Sequence, residues 1–206
     1  MGTPGAHMFS GTFSILAISP DSKLMGVAVA SGSTYVGDRV PHAKPGIGVI
    51  ATQAHTNVTY GIKGLELLMK GLTPQETLNT LLVEDRLRNL RQVAILDFKK
   101  EKAVFTGANA PEYHGEMIGE YYIVIGNLLS SKEVITNMAK QFEGSNGDLA
   151  LKMVKALKAG SESGGDRRGE KSAALVVIGT ETVEVEIKIG VDENPVEELF
   201  RKLKSQ

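Results

Sequence analysis

The chain contains no cysteine and no tryptophan among its 206 residues. Without cysteine there can be no disulfide, no thiolate zinc site and no cysteine nucleophile. Aromatic residues make up only 5% of the chain, and the four histidines (His7, His42, His55, His114) show none of the paired spacings that hold a metal. No metal site and no cofactor are expected. An excess of one charge is also missing. The formal net charge is −1, which offers no electrostatic footprint for nucleic acid or an anionic membrane. No apolar run is long enough to span a bilayer and no secretory leader is read, so residence in the cytoplasm is the expectation.

What is present is ordinary for a globular chain: 42% hydrophobic and 23% charged residues, with length enough to bury a sizeable core. Met1-Gly2-Thr3-Pro4-Gly5-Ala6-His7 is small and turn-prone and reads as an expression remnant, so residues 1–11 are taken as a leader. Residues 12–206 are read as one domain.

Apolar strand-like stretches open that region at 12–18, 24–30 and 46–53. A helical stripe of Ile62, Leu65, Leu68 and Met69 follows, closed by Gly71. Thr73-Pro74-Gln75-Glu76 then carries a capping threonine, proline at the first helical position and glutamate at the third. Further strands are read at 91–98, 103–106, 115–118 and 121–125. Two helices come next, one opened by Ser130-Ser131 and one over 148–159. Strands at 172–178 and 182–189 and a helix capped by Asn194-Pro195 complete the chain. Strands, two helices, strands, two helices, strands, helix is an α+β order. It fits a four-layer αββα sandwich, two sheets face to face with helices outside; a two-layer α+β domain is the competing architecture.

Candidate chemistry concentrates at strand ends. Thr12 follows Gly11 at the start of the first strand. A threonine hydroxyl needs a base beside it, and its own α-amine becomes one once the preceding peptide bond is cut. Thr12 is thus either a latent N-terminal nucleophile or a β-branched residue starting a strand. Thr52, Gln53, His55, Thr56 and Asn57 end the third strand and run into a loop, where an amide and an imidazole could hold a carbonyl or carboxylate, or simply satisfy the fold. Gly126-Asn127 with Ser130 and Ser131 joins a strand to a helix start, a place for an oxyanion or for capping alone. In Gly164-Gly165-Asp166-Arg167-Arg168-Gly169 the arginines could grip a carboxylate, or an Asp–Arg pair could lock a turn. The loop lacks the Gly-Lys-Ser/Thr ending of a phosphate loop.

Taken together, Thr12-Phe13-Ser14-Ile15, Gly26-Val27-Ala28-Val29-Ala30-Ser31, Gly48-Val49-Ile50-Ala51-Thr52-Gln53, Tyr60-Gly61, Gly64-Leu65, Phe105-Thr106-Gly107, Gly126-Asn127-Leu128-Leu129, and the Gly164–Gly169 loop with Ser172-Ala173-Ala174-Leu175 resemble the domain of unknown function 1028 family. The resemblance covers residues 12–178 and leaves a C-terminal strand and helix at 179–206 unmatched. That family is grouped with the N-terminal nucleophile (Ntn) hydrolases, which implies the αββα sandwich and Thr12 as nucleophile. The resemblance further implies a lysine near the third strand, for which Lys44 is the candidate, and an orienting acid, for which Asp38 is. Asn127 is the candidate centre for oxyanion stabilisation. Glu112-Tyr113-His114-Gly115 and Ile125 depart from the family pattern at what would be its substrate pocket. The function expected is amide-bond hydrolysis of a small or peptide-like substrate, in a homo-oligomer. A non-catalytic ligand-binding or assembly module on the same fold is the alternative.

Overall fold

The computed structural model describes residues 11–206; of the leader read in residues 1–11, all but Gly11 lies outside the described residues. In chain order the elements are β1 (Thr12–Ile18), β2 (Met25–Ser31), β3 (Pro41–Lys44), β4 (Gly48–Ala54), α1 (Thr59–Met69), α2 (Pro74–Glu84), β5 (Arg91–Asp97), β6 (Lys102–Thr106), β7 (Gly115–Ile118), β8 (Tyr122–Asn127), α3 (Glu133–Gly144), α4 (Leu149–Glu162), β9 (Ser172–Ile178), β10 (Val183–Ile189) and α5 (Pro195–Lys204). They build a six-stranded sheet in the order β10-β9-β2-β1-β8-β7 and a four-stranded sheet in the order β3-β4-β5-β6. Every pairing is antiparallel.

The burial of β1 explains the layering. All seven of its residues are buried, so both of its faces are covered. Phe13, Ile15 and Ala17 turn to one side and pack with Val134, Met138, Met153 and Leu157 of α3 and α4, and with Leu199 of α5. Leu16 and Ile18 turn to the other side and meet Val49 and Ala51 of β4 and Ala94 and Leu96 of β5, forming the core between the sheets. A third apolar layer joins Ile50, Val93 and Ile95 to Tyr60, Leu68, Leu78 and Leu81 of α1 and α2. Three stacked apolar interfaces need four layers, so the chain forms the αββα sandwich and not the two-layer alternative.

Local signals hold at some ends and not at others. Thr73 closes a capping box on α2: its hydroxyl accepts from the Glu76 amide, and the Glu76 carboxylate accepts from the Thr73 amide at 2.9 Å. Asp148 caps α4 by accepting from the Leu151 amide at 2.8 Å. In contrast, α3 begins at Glu133 with no side-chain cap from Ser130 or Ser131, and Asn194 makes no capping bond to α5. The stripe expected on α1 holds at Leu65 and Leu68, which pack against the core, and fails at Ile62 and Met69. Tyr60, Gly61, Gly64 and Leu68 face the sheet, whereas Ile62 and Met69 are 55% and 51% exposed. Two apolar stripes fit the helical period there, and the two glycines let the helix approach the sheet on theirs. The short strand β3 was not read from the sequence at all. No helix of the described residues is long and apolar enough to cross a membrane.

Candidate active site

Inward-facing positions change character at one end of the sandwich. Along β1 the inter-sheet face reads Ile18, Leu16, Ser14, Thr12; along β2, Val27, Val29, Ser31. On β4 it reads Val49, Ala51, Gln53, on β5 Leu96, Ala94, Gln92, and on β8 Ile123, Ile125, Asn127. Five strands thus end their apolar stripes in polar side chains at one place. Strand register sets them opposite one another: Thr12 pairs with Ser31 on one side and Asn127 on the other, and Gln53 pairs with Gln92.

The hydrogen bonds make these residues one network. Gln53 accepts from the Ser14 hydroxyl at 2.6 Å and donates through Nε2 to the Thr12 carbonyl at 3.1 Å and to Gln92 Oε1 at 2.8 Å. Asn127 Nδ2 donates to the same Gln92 oxygen at 3.3 Å. Gln92 Nε2 passes the chain on to Thr106 Oγ1 at 3.0 Å and the Gly115 carbonyl at 3.1 Å. Such a network fixes rotamers, because each buried amide left without a partner would cost about 1–3 kcal/mol.

Thr12 itself is 1% exposed. Its Oγ1 lies 3.1 Å from Ser31 Oγ, and Ser31 Oγ donates to the Gly11 carbonyl oxygen at 2.6 Å. Since Ser31 gives its one proton to that carbonyl, Thr12 is the donor in the bond between the two hydroxyls. A proton path therefore runs from the Thr12 hydroxyl through Ser31 to the oxygen of the peptide bond that precedes Thr12.

Asp166 closes the other side. Its carboxylate is buried and accepts from the Gly32 amide at 2.6 Å, from the Arg168 amide at 2.9 Å, and from Arg168 Nε and Nη2 at 3.2 and 2.9 Å. A Cβ added at Gly11 would lie 2.4 Å from Asp166 Oδ2, and one at Gly32 would lie 2.5 Å from it. Gly164 and Gly165, with φ of +100° and +44°, turn the loop that delivers Asp166 to this position. Two non-glycine residues in the left-handed region flank the site: Ala54 after Gln53 (φ 67°) and Leu128 after Asn127 (φ 50°). Each costs about 1–3 kcal/mol, and backbone strain of this kind gathers at functional sites.

Of the residues singled out in the sequence, the structure brings Thr12, Gln53, Asn127, Asp166 and Arg168 together. It does not bring Lys44. That residue ends β3 and pairs with Gly48, five residues along β4 from Gln53, which is about 17 Å of strand. Asp38 is likewise elsewhere, ion-paired to Lys188 at 3.1 Å. The residues around Thr12 (Ser31, Gln53, Gln92, Asn127) are neutral. The main-chain amides after Asn127 are also committed, Leu128 to the Pro111 carbonyl, Leu129 to that of Tyr113 and Ser130 to that of Gly165. They are not open to an oxyanion. Arg167 is exposed and lies over the Tyr113 ring.

Thr52 turns to the far face of the four-stranded sheet, and His55 and Asn57 lie in the loop from β4 to α1. The Thr52 hydroxyl donates to the Asn57 carbonyl at 3.2 Å, and the Asn57 side chain accepts from the Thr59 amide and hydroxyl, starting α1. Arg91, buried, donates to the His55 carbonyl at 2.6 Å and to His55 Nδ1, and its Nε binds Asp85 at 2.7 Å. An arginine can only donate, so Nδ1 accepts in that contact. Tyr60 donates to the same Asp85 at 3.0 Å. Burial, then the Asp85 carboxylate, pushes the Tyr60 hydroxyl well up; burial works to raise Asp85, but the bonds from Arg91, the Leu87 amide and Tyr60 outweigh it and hold Asp85 low. These residues anchor a loop. The sequence reading missed Ser14, Ser31 and Gln92, although the signal was available: each is a polar residue at the end of an apolar alternation.

Along residues 12–199 the chain matches the model of a family described as Family of unknown function (DUF1028), and it belongs to that family. The match extends past the 12–178 read from the sequence, into β10 and α5. Protein SPO2555 from Silicibacter pomeroyi, a crystal structure carrying the same family description, is similar at a TM-score of 0.88 and 29% identity, over 95% of this chain and 85% of that one. Anbu (ancestral beta-subunit) from Yersinia bercovieri is similar at a TM-score of 0.43 and 12% identity, over 94% and 93% of the two chains. A Gly-1 mutant of Anbu from Hyphomicrobium sp. strain MC1 is similar at 0.41 and 12%, over 95% of each. Likenesses at those two scores carry no argument about this chain. No curated protein matches it.

Proposed function

We propose that this end of the sandwich is a self-processing amide-hydrolysing site with Thr12 as nucleophile. One observation carries the reading: the Thr12 hydroxyl donates to Ser31, and Ser31 donates to the carbonyl of the bond before Thr12. In the first step Thr12 Oγ bonds to the Gly11 carbonyl carbon. The threonine proton passes to Ser31 Oγ as the Ser31 proton passes to the carbonyl oxygen, giving a neutral tetrahedral adduct. The C–N bond then breaks, Thr12 nitrogen takes the proton back, and Gly11 is left as an ester on Thr12. Water hydrolyses that ester to a Gly11 carboxylic acid and frees the Thr12 hydroxyl beside its own α-amine, which then serves as base. A small or peptide-like amide follows the same course, its leaving amine taking the proton that the α-amine held. Asn127 and Gln53 position the strand ends; Lys44 has no part.

The non-catalytic binding or assembly reading draws on a different observation. The four side chains around Thr12 carry no charge, and Gln53 holds the inward place near the end of β4. Intact mass separates the two readings. Full-length protein, incubated and weighed at intervals, is expected to lose residues 1–11, whereas Thr12→Ala keeps them and Thr12→Ser loses them. A folded wild-type protein whose mass never changes leaves Thr12 without its base and favours the binding module.

A further inference from the structure

The wall that Asp166 raises beside Gly11 has consequences for what the site accepts. The Asp166 carboxylate stands where the side chain of residue 11 would be: an added Cβ would meet Oδ2 at 2.4 Å and both Cγ and Oδ1 at 2.5 Å. The end of a flexible side chain could swing aside, but this one is pinned. Two main-chain amides, Gly32 and Arg168, and two guanidinium nitrogens of Arg168 hold it, and the carboxylate is fully buried. Gly32, where a Cβ would meet the same oxygen at 2.5 Å, lets the chain close on it from the opposite side. Moving the carboxylate breaks charge-assisted bonds and leaves an ion in the interior.

Resting on the self-processing reading, we infer that the site is selective for acyl groups with an unsubstituted α-carbon: its substrates are glycyl amides. The ester formed on Thr12 by Gly11 and the ester formed by a substrate are the same linkage on the same oxygen. The acyl group of a substrate therefore enters the space that Gly11 leaves. Any α-substituent on the Asp166 side strikes this pinned carboxylate. Asp166 also offers its charge to the group on the glycyl α-carbon, which is an ammonium in a free glycyl amide and an amide N–H in a peptidyl-glycyl one. The chemistry is balanced as for self-cleavage: Thr12 Oγ bonds to the glycyl carbonyl, the amine leaves with the proton held by the Thr12 α-amine, and water releases glycine or a C-terminal glycyl acid.

The test uses protein that has processed itself, confirmed by mass, and four fluorogenic probes: the 7-amido-4-methylcoumarins of glycine, N-acetylglycine, L-alanine and N-acetyl-L-alanine. Both glycyl probes against both alanyl probes measures selectivity for the bare α-carbon, and the free against the acetylated glycyl probe identifies which source the site takes. A glycyl probe is expected to exceed its alanyl partner in kcat/KM by at least about tenfold, the penalty for forcing one methyl into a packed wall. In the full-length chain Gly11→Ala is expected to slow self-cleavage by a similar factor, and Asp166→Ser in that background to restore part of it. Equal turnover of glycyl and alanyl probes by processed protein overturns the selectivity and leaves the nucleophile standing. Failure of folded wild-type protein to process at all overturns both. The probe comparison needs no variant, so a misfolded Asp166→Ser leaves it intact.

Discussion

Replacing Ser31 by alanine removes one oxygen and tests the core of the reading. Ser31 Oγ is buried and sits among three partners: it donates to the Gly11 carbonyl at 2.6 Å, accepts from Thr12 Oγ1 at 3.1 Å, and accepts from the Ser33 amide at 3.1 Å. Two consequences can be worked separately. For stability, buried polar groups lose a partner, at about 1–3 kcal/mol for one left unsatisfied. For processing, the lost donor is the one aimed at the oxygen on which charge develops. Removing a donor of that kind lowers a rate by about 10²–10³, or about 2.7–4 kcal/mol of barrier. The assay is intact mass against time at a temperature where urea unfolding shows the variant folded. Ser31→Thr, which keeps the hydroxyl, is expected to retain most of the rate, so a merely structural loss is distinguishable. If folded Ser31→Ala processes within about threefold of wild type, where loss of such a donor should cost about 10²-fold, the proton path through Ser31 is refuted.

Arg91→Met is expected to cost about 2–4 kcal/mol in urea unfolding, because it strands the Asp85 carboxylate, whose side chain is only 12% exposed. Adding Asp85→Asn should recover part of that loss, and a single-variant cost under about 1 kcal/mol would place the pair with exposed ion pairs instead. Asp85 also fixes an acid limit: its folded pKa lies below its unfolded value near 3.8, so its contribution is fully present above that value and is lost as pH falls through the folded one. Stability followed downward from pH 5 should show this loss in wild type and not in the double variant. Leu78→Ala, at a position 1% exposed between α2 and the four-stranded sheet, should cost about 2–5 kcal/mol. It should leave the rate of mass loss unchanged in protein that remains folded.

The architecture was legible because its signals are collective. Seven-residue strands apolar on both faces can only be covered on both sides, and the sequence places such strands at 12–18 and 172–178 with helix pairs between. The capping box at Thr73 is a local bond between neighbours in sequence and is equally readable. Where two registers compete, sequence is a poorer guide. The stripe of Ile62 and Met69 has the helical period, yet the sheet takes the side with Gly61 and Gly64, since backbone-to-backbone approach depends on what is small as well as on what is apolar. The site divides on the same principle. Thr12, Gln53 and Asn127 were visible as polar residues at strand ends. Which of them share a face depends on parity along each strand, and one residue decides it: Thr52 and Gln53 are neighbours, yet one serves the α1 loop and the other the centre of the sandwich. Lys44 was misplaced because its distance from Thr12 is set by the direction of the β3–β4 hairpin, which composition does not encode.

The concentration of polar residues at one end is itself an argument about function. Val, Leu or Met at Ser14, Gln53, Gln92 and Asn127 would continue the stripes of Leu16, Ala51, Ala94 and Ile125, and packing alone would favour them. A buried network of amides and hydroxyls is at best neutral for stability when fully bonded, and costly when any member moves. It does, however, hold five strand ends in one register and aim the Gly11–Thr12 peptide at Ser31. The left-handed Ala54 and Leu128 spend further stability at the same two strand ends. Structural needs explain the Arg91–Asp85–His55 cluster, where each polar group anchors a loop that would otherwise lift from the sheet. Ser14, Gln53, Gln92 and Asn127 instead tie β1, β4, β5 and β8 to one another around the Thr12 main chain. What depends on them is the placement of one hydroxyl, and that is the physical reason to look for chemistry at Thr12.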